Sequence, residues 1–291
     1  RQLDSLNCTS FCSGERQDVS SYVGSFNSLT NCYINGVCRT DYPDISCWNT
    51  ANITDMKDAF SFQSFNAPLE CWNVGQVTSM DRMFFYVYSF NQLIDSWDVS
   101  KVEYMSYMFD NAYLFNQPID SWDVSQVKNM DEMFNYATSF NKPIDTWNVS
   151  QVTYLGGMFY DAFKFNQAID SWNVSQVETM RFMFSGATSF NQPIGDWNTS
   201  QVRKMDNMFS NATSFNQSLD TWDVSQVYTM YEMFRGAFDF NQCLSTWAEK
   251  TDDTVYTTDM LYGTDCPNGI DNPDATIGPW CQDYKLGCFA P

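Results

Sequence analysis

The chain has 291 residues, 44% hydrophobic and 17% aromatic, with 35 acidic against 15 basic side chains and a net charge of −20. That apolar content excludes a disordered chain, and the negative field repels duplex nucleic acid and anionic membranes. Histidine is absent, which removes the usual general base and the commonest metal ligand.

No apolar run reaches the length needed to cross a bilayer. The chain begins at Arg1 without a Met or a charged-then-apolar leader, as expected of a processed mature chain or a trimmed one. Residues 1–47 hold Cys8, Cys12, Cys32, Cys38 and Cys47 and match no repeat, so they read as a cysteine-rich N-terminal cap. Cys71 follows, and no further cysteine occurs before Cys243, Cys266, Cys281 and Cys288. Both clusters fall where a repeat stack must close an exposed apolar end. Their spacings are irregular and lack the paired pattern of a zinc site, so disulfides in an oxidising, extracytoplasmic compartment are expected.

From Trp48 to Trp247 nine of the ten tryptophans recur at intervals of 24 or 25 residues. A period in this range marks a solenoid whose repeats bury apolar faces only against their neighbours. In the unit beginning at Trp122, Val127, Met130, Met133, Phe134 and Ala137 have the spacing of one helical face, and Ser125 stands where it would cap a helix. Phe140 to Ile144 reads as a short extended segment, and Asp145-Thr146 as a turn into the next tryptophan. The predicted architecture is an α/β repeat of about eight rungs over 48–246, each a short strand plus a short helix, with a disulfide-bonded C-terminal cap over 247–291. The Phe and Met columns read as core. The Asn66 to Asn241 column reads as a rung-to-rung amide ladder.

The motif S-Q-V-x-x-M-x-x-M-F-x-x-A-x-x-F-N-Q-P-I-D-S-W, as in Ser125-Gln126-Val127 through Phe134 to Trp147, resembles the BspA-like surface-protein repeat, a leucine-rich-repeat relative first associated with mycoplasma lipoproteins. The match spans roughly residues 42–247. The run Cys266-Pro267-Asn268 and Gly278-Pro279-Trp280-Cys281 looks like the closing segment of algal members. The resemblance implies a leucine-rich-repeat-like right-handed solenoid and a role at cell surfaces. It brings no catalytic residues.

Register suggests three disulfides. Cys47 and Cys71 both precede a repeat tryptophan, so they share a column on adjacent rungs, inside disulfide reach. Cys243 ends the last rung with Cys266 as its nearest partner, which leaves Cys281 with Cys288. Cys8, Cys12, Cys32 and Cys38 allow three pairings.

Candidate sites lie in the columns that break the period. Asp95, Asp120, Asp145 and Asp170 form an acidic column that suits calcium, although turn capping explains Asp and Asn equally well. No other cofactor is expected. Among the N-x-S/T sequons, Asn7, Asn52 and Asn211 are the glycan candidates, while Asn148, Asn173 and Asn198 look close to the core. Tyr104, Tyr107, Tyr154, Phe182, Tyr228 and Tyr231 fall on the presumed outer face, and exposed aromatics are favoured at interfaces. Every carboxylate in the array is repeated, whereas an enzyme needs one unequal constellation. The expectation is a secreted or cell-surface, non-enzymatic protein that assembles with other proteins or with copies of itself. A carbohydrate-binding module, with or without calcium, is the alternative.

Overall fold

The computed structural model describes residues 17–19, 22, 24–42, 44–267, 270–275 and 277–281. Its regular elements are few: β1 (Gln17–Asp18), α1 (Phe26–Ile34), a 3-10 turn (Ile45–Cys47), β2 (Trp48–Asn49) and α2 (Trp247–Lys250). All of them lie at the two ends. Between them the repeats stack in parallel, and the seventh residue after each tryptophan bridges its equivalent in the next rung, from Asp55–Ser79 through Asn129–Tyr154 to Thr229–Tyr256. The bridges define nine levels.

The predicted helix in each rung is absent, because the spacing has another cause. In the Trp122 rung the N–H groups of Met130, Glu132, Phe134 and Tyr136 all donate to carbonyls of the next rung. Those of Met133, Asn135 and Ala137 donate back three residues within the rung. A helix would use every N–H inside the segment, four residues back. Here half of them are spent on the neighbour. Glu132 and Tyr136 sit at φ 54° and 52°, the positive value that a type II turn requires at its third residue. Successive turns thus bring an apolar side chain inward every three or four residues and imitate a helical stripe. Ser125 caps no helix; its N–H donates to Asp123 Oδ1 at 3.0 Å.

The extended segment at Phe140–Ile144 carries no backbone ladder. Its rung-to-rung bond comes from a side chain, with Asn116 Oδ1 accepting the N–H of Asn141 at 3.0 Å. The amide ladder expected of this column is present from Asn66 to Asn241.

The inward columns form one continuous core. Trp122 and Trp147 stack with centroids 6.4 Å apart and planes 2° from parallel. Phe134 packs on Phe140 of its own rung at 4.1 Å and on Phe159 of the next at 5.8 Å. Each repeat indole from Trp72 onward donates to a backbone carbonyl 27 or 28 residues earlier, as Trp147 Nε1 does to Ile119 at 3.0 Å. Trp48 has no preceding rung, and its buried Nε1 has no partner among the described residues.

The ends are closed differently. At the start, β1 pairs in parallel with β2, and α1, capped by Ser25, lays Phe26 edge-on against Trp48 and Trp72. At the far end Lys250 Nζ donates to the carbonyls of Asp220 and Trp222. The bond pattern continues to Met260, whose carbonyl accepts from Phe234, so the one methionine outside the two Met columns belongs to a ninth level. The chain then returns antiparallel, pairing Trp280 with Leu244.

That return corrects the predicted disulfides. Cys266 pairs with Cys281, with Cα atoms 4.9 Å apart, and not with Cys243; nor does Cys281 pair with Cys288, which lies outside the described residues. The antiparallel strand lays Cys281 beside Cys266, a fold-back that rung register does not encode. Cys32 pairs with Cys38 across the end of α1. Cys47, Cys71 and Cys243 are disulfide-bonded, but the two bonds between described residues do not include Cys47–Cys71. In the 3-10 turn, Cys47 Sγ points back to Asp44 at 3.8 Å. Cys8 and Cys12 lie outside the described residues, as does the sequon at Asn7.

Candidate interaction face

The side chains that leave the core between the sixth and fourteenth positions after each tryptophan share one face. Their backbone is the ladder itself, so the face is as rigid as the rung-to-rung bonds. A depression of about 710 Å³ lies in its middle, with Gly156 and Gly157 at its floor. The other rungs carry side chains at these two positions: Asp131 and Glu132 on one side, Arg181 and Phe182 on the other. Gly157 is at φ 58°, and a Cβ there would meet Glu132 Cγ at 2.8 Å. Glycine is therefore required at Gly157, where the Glu132 side chain already takes the place of a Cβ.

Of the six aromatic residues predicted to meet a partner, Tyr154, Phe182 and Tyr228 line this depression. Tyr154 and Tyr228 are 43% and 50% exposed, in contrast to the fully buried Phe and Met columns beside them. Tyr104 shares the bridge column of Tyr154, two rungs earlier, and is 42% exposed. Tyr107 is half-buried and sits at φ 58°. Tyr231 is half-buried and stacks on Tyr256 at 5.6 Å.

The electrostatics of the face divide it. Arg181, Arg203 and Lys204 line the C-terminal side of the depression, and Asp131 and Glu132 the N-terminal side. Arg181 holds Asp206 at 2.9 Å, and Lys204 lies over the Tyr228 ring at 5.9 Å. Burial raises the Asp131 carboxyl to about 6, against a backbone N–H from Gly156 that lowers it. Burial likewise raises Asp110 to about 7, opposed by the Asn111 amide and reinforced by the Glu132 charge. Glu132 is also raised by burial. The Tyr136 phenol is pushed well above its usual range by its hydrogen bond to Asp161.

The acidic column at Asp95, Asp120, Asp145 and Asp170 is strung one residue per rung. Among the described residues no three metal-ligating side chains converge on a point. The column's visible work is structural, since the backbone carbonyls of Asp95, Asp120 and Asp145 accept hydroxyls from Ser121, Thr146 and Ser171 of the following rungs. The residue after each tryptophan is a turn cap: Asp98, Asp123, Asn148, Asn173, Asn198 and Asp223 each accept the N–H two residues on. Asn52 and Asn211 are exposed. So are Asn148, Asn173 and Asn198, contrary to their expected closeness to the core.

Two features escape the sequence reading. Arg203 and Lys204 look like noise in mixed columns until the stack places them beside Arg181. Phe62, 66% exposed, joins Phe85 and Tyr86 at 5.1 and 5.2 Å in an aromatic patch near the N-terminal end, where the sequence gives only scattered loop aromatics.

No curated protein and no solved structure matches the chain. The family model described as Mycoplasma protein of unknown function, DUF285, matches residues 27–145, 94–184, 118–212 and 164–269. With these overlapping matches running from residue 27 to residue 269, the chain belongs to the DUF285 family of mycoplasma-type repeat proteins.

Proposed function

We propose that this chain is a non-enzymatic protein of the cell surface or extracellular space, built as a right-handed, leucine-rich-repeat-like solenoid, whose work is assembly with other proteins or adhesion. Kinship with BspA-like surface proteins of algae and protists is part of this reading. The observation that carries it is the contrast between columns: the strictly periodic Trp, Phe, Met and Asn positions are spent on stacking, while Tyr104, Tyr154 and Tyr228 stand out exposed on a face that breaks the period. Exposed tyrosines of this kind are enriched where proteins meet. The disulfides fit an oxidising compartment, and no helix among the described residues is long and apolar enough to cross a membrane. Asn52 and Asn211 are the glycan sites this setting would offer.

Lysine-directed cross-linking of native material tests the proposal. Links to other polypeptides should concentrate on Lys128 and Lys204, which belong to the face, and avoid Lys142 and Lys164, which follow other columns. Links confined to the latter pair would count against it.

One observation favours a second reading, a carbohydrate site. The depression falls in the size range of small-ligand pockets, about 300–1,000 Å³, and has Tyr154 and Tyr228 as walls with Arg203 and Lys204 as donors. A glycan array with wild-type protein and Tyr154→Ala decides it; binding that ignores the substitution would exclude this depression.

A further inference from the structure

The nine bridged levels have Tyr154 at their centre, with four levels on each side. A two-fold axis lying in the plane of the face, parallel to the rungs and passing through Gly156 and Gly157, would turn a second copy end for end. Each column would then face itself, and a rung lying n levels before the centre would face the rung n levels after it. An isologous interface demands that these pairs suit each other.

They do. One level out, Lys128 faces Glu178 and Asp131 faces Arg181. Two levels out, Glu103 faces Arg203, and Tyr104 faces Lys204. Three levels out, Arg82 faces Glu232. Between one and three levels from the centre, all four places on the face where charge meets charge join opposite signs, and on the central rung Asp161, which faces its own copy, is hydrogen-bonded to the Tyr136 phenol. At the outermost level Asp58 faces Asp259, but each has an arginine of its own chain, Arg82 at 3.6 Å and Arg235 at 3.7 Å. Among the described residues neither Glu178 nor Arg203 is held in an ion pair.

We infer that this face pairs with the same face of a second copy of the chain, antiparallel, about an axis through Gly156 and Gly157. The inference rests on the assembly reading and names its partner. The two Tyr154 rings lie beside the axis, where the depression they line with Gly156 and Gly157 gives them room. The overall charge of −20 does not forbid the contact, because the exposed and half-buried charges near the centre come close to balance: Glu103, Asp131, Glu132, Asp161 and Glu178 against Lys128, Arg181, Arg203 and Lys204. Seven rungs about 4.8 Å apart make a face about 30 Å long, enough for a standard interface of about 800 Å² per partner.

The test uses two charge reversals on exposed or half-buried side chains, Arg203→Glu and Glu103→Arg, each checked for folding by circular dichroism. Mass is read by sedimentation equilibrium in about 0.15 M salt, where charges more than about 8 Å apart are screened. Wild type should dimerise. Each single variant sets like charges opposite each other twice per dimer and should raise the dissociation constant by roughly a hundredfold or more. An equimolar mixture of the two variants restores opposite charges at both contacts and should recover a heterodimer. Single variants that dimerise like wild type, a mixture that stays monomeric, or a monomeric wild type would each overturn the pairing. A monomeric wild type whose native cross-links still fall on Lys128 and Lys204 would remove self-pairing and leave assembly with another protein intact. Cross-links that also avoid the face would remove both.

Discussion

Asn141 Oδ1 accepts the backbone N–H of Asn166 at 3.0 Å and the Gln167 side-chain amide at 2.8 Å. Asn166 Oδ1 in turn accepts from Asn191 at 3.0 Å. A side chain here does what a backbone carbonyl does in a sheet, which frees the chain after each Phe to accommodate the prolines at Pro118, Pro143 and Pro193.

Asn141→Ala should therefore cost more than a lost surface amide. It leaves the Asn166 N–H without its acceptor, a penalty of about 1–3 kcal/mol. Asn141→Asp keeps an acceptor in place and should lose less at neutral pH. Urea unfolding of the two variants beside wild type checks the order. Equal losses would show that the volume of Asn141, not its oxygen, is what counts.

Asp110 predicts a pH dependence with a definite sign. Its folded-state pKa, about 7, lies above the ordinary carboxylate value because burial disfavours the charge. The folded protein thus holds a proton that the unfolded chain releases. Stability from this group is fully present below the unfolded pKa and is lost as the pH climbs from about 4 through 7. Asp131, raised to about 6, acts in the same direction. Asp110→Asn should raise the melting temperature at pH 8, leave it little changed at pH 4, and flatten the slope between. A variant that melts lower than wild type at pH 8 would mean that the charged form is the one the fold wants.

The two faces of the stack were not equally legible. The Trp, Phe and Met columns announce burial because their period is strict, and the Asn column announces a ladder because nothing else repeats an amide so faithfully. The exposed tyrosines followed by subtraction. The backbone was harder. A helix and a run of turns both place apolar residues three and four apart, and the residues that separate them give no sign: Arg82, Tyr107, Glu132 and Phe182 all adopt positive φ, a region non-glycine residues seldom enter. Only Gly157, Gly186 and Gly236 hint at it. The disulfide at Cys266 depends on the antiparallel return to Leu244, and register says nothing once the chain leaves the repeat. Arg203 and Lys204 became a site only when stacking set them next to Arg181.

Reducing the Cys266–Cys281 bond should loosen one end and not the middle. Stacked repeats couple mainly to their neighbours, and this bond fixes the return strand that pairs Trp280 with Leu244. In Cys266→Ser/Cys281→Ser, amide hydrogen exchange at Leu244 and Trp280 should quicken. Exchange at Phe134 and Phe159 should stay near wild type. The local loss should be about 2–4 kcal/mol, as for other disulfides. Uniform acceleration along the chain would show that the stack unfolds as one unit.

Trp147→Ala and Tyr154→Ala, seven residues apart in one rung, should separate stability from recognition. Trp147 is buried, stacks at 6.4 Å on both Trp122 and Trp172, and donates to Ile119. Removing it opens a cavity in the middle of the column and strips a buried carbonyl of its donor, at a cost of about 3–5 kcal/mol. Tyr154 is nearly half exposed and makes no core contact of that kind, so its truncation should stay within about 0.5 kcal/mol, as surface changes do. Binding should show the reverse order. Once Trp147→Ala is studied at a temperature where it is folded, it should retain most of the self-association, because the outer face is built by the ladder and not by the indole. Tyr154→Ala should lose it. If both variants lost association in proportion to their stability, the face would have no recognition role separable from folding.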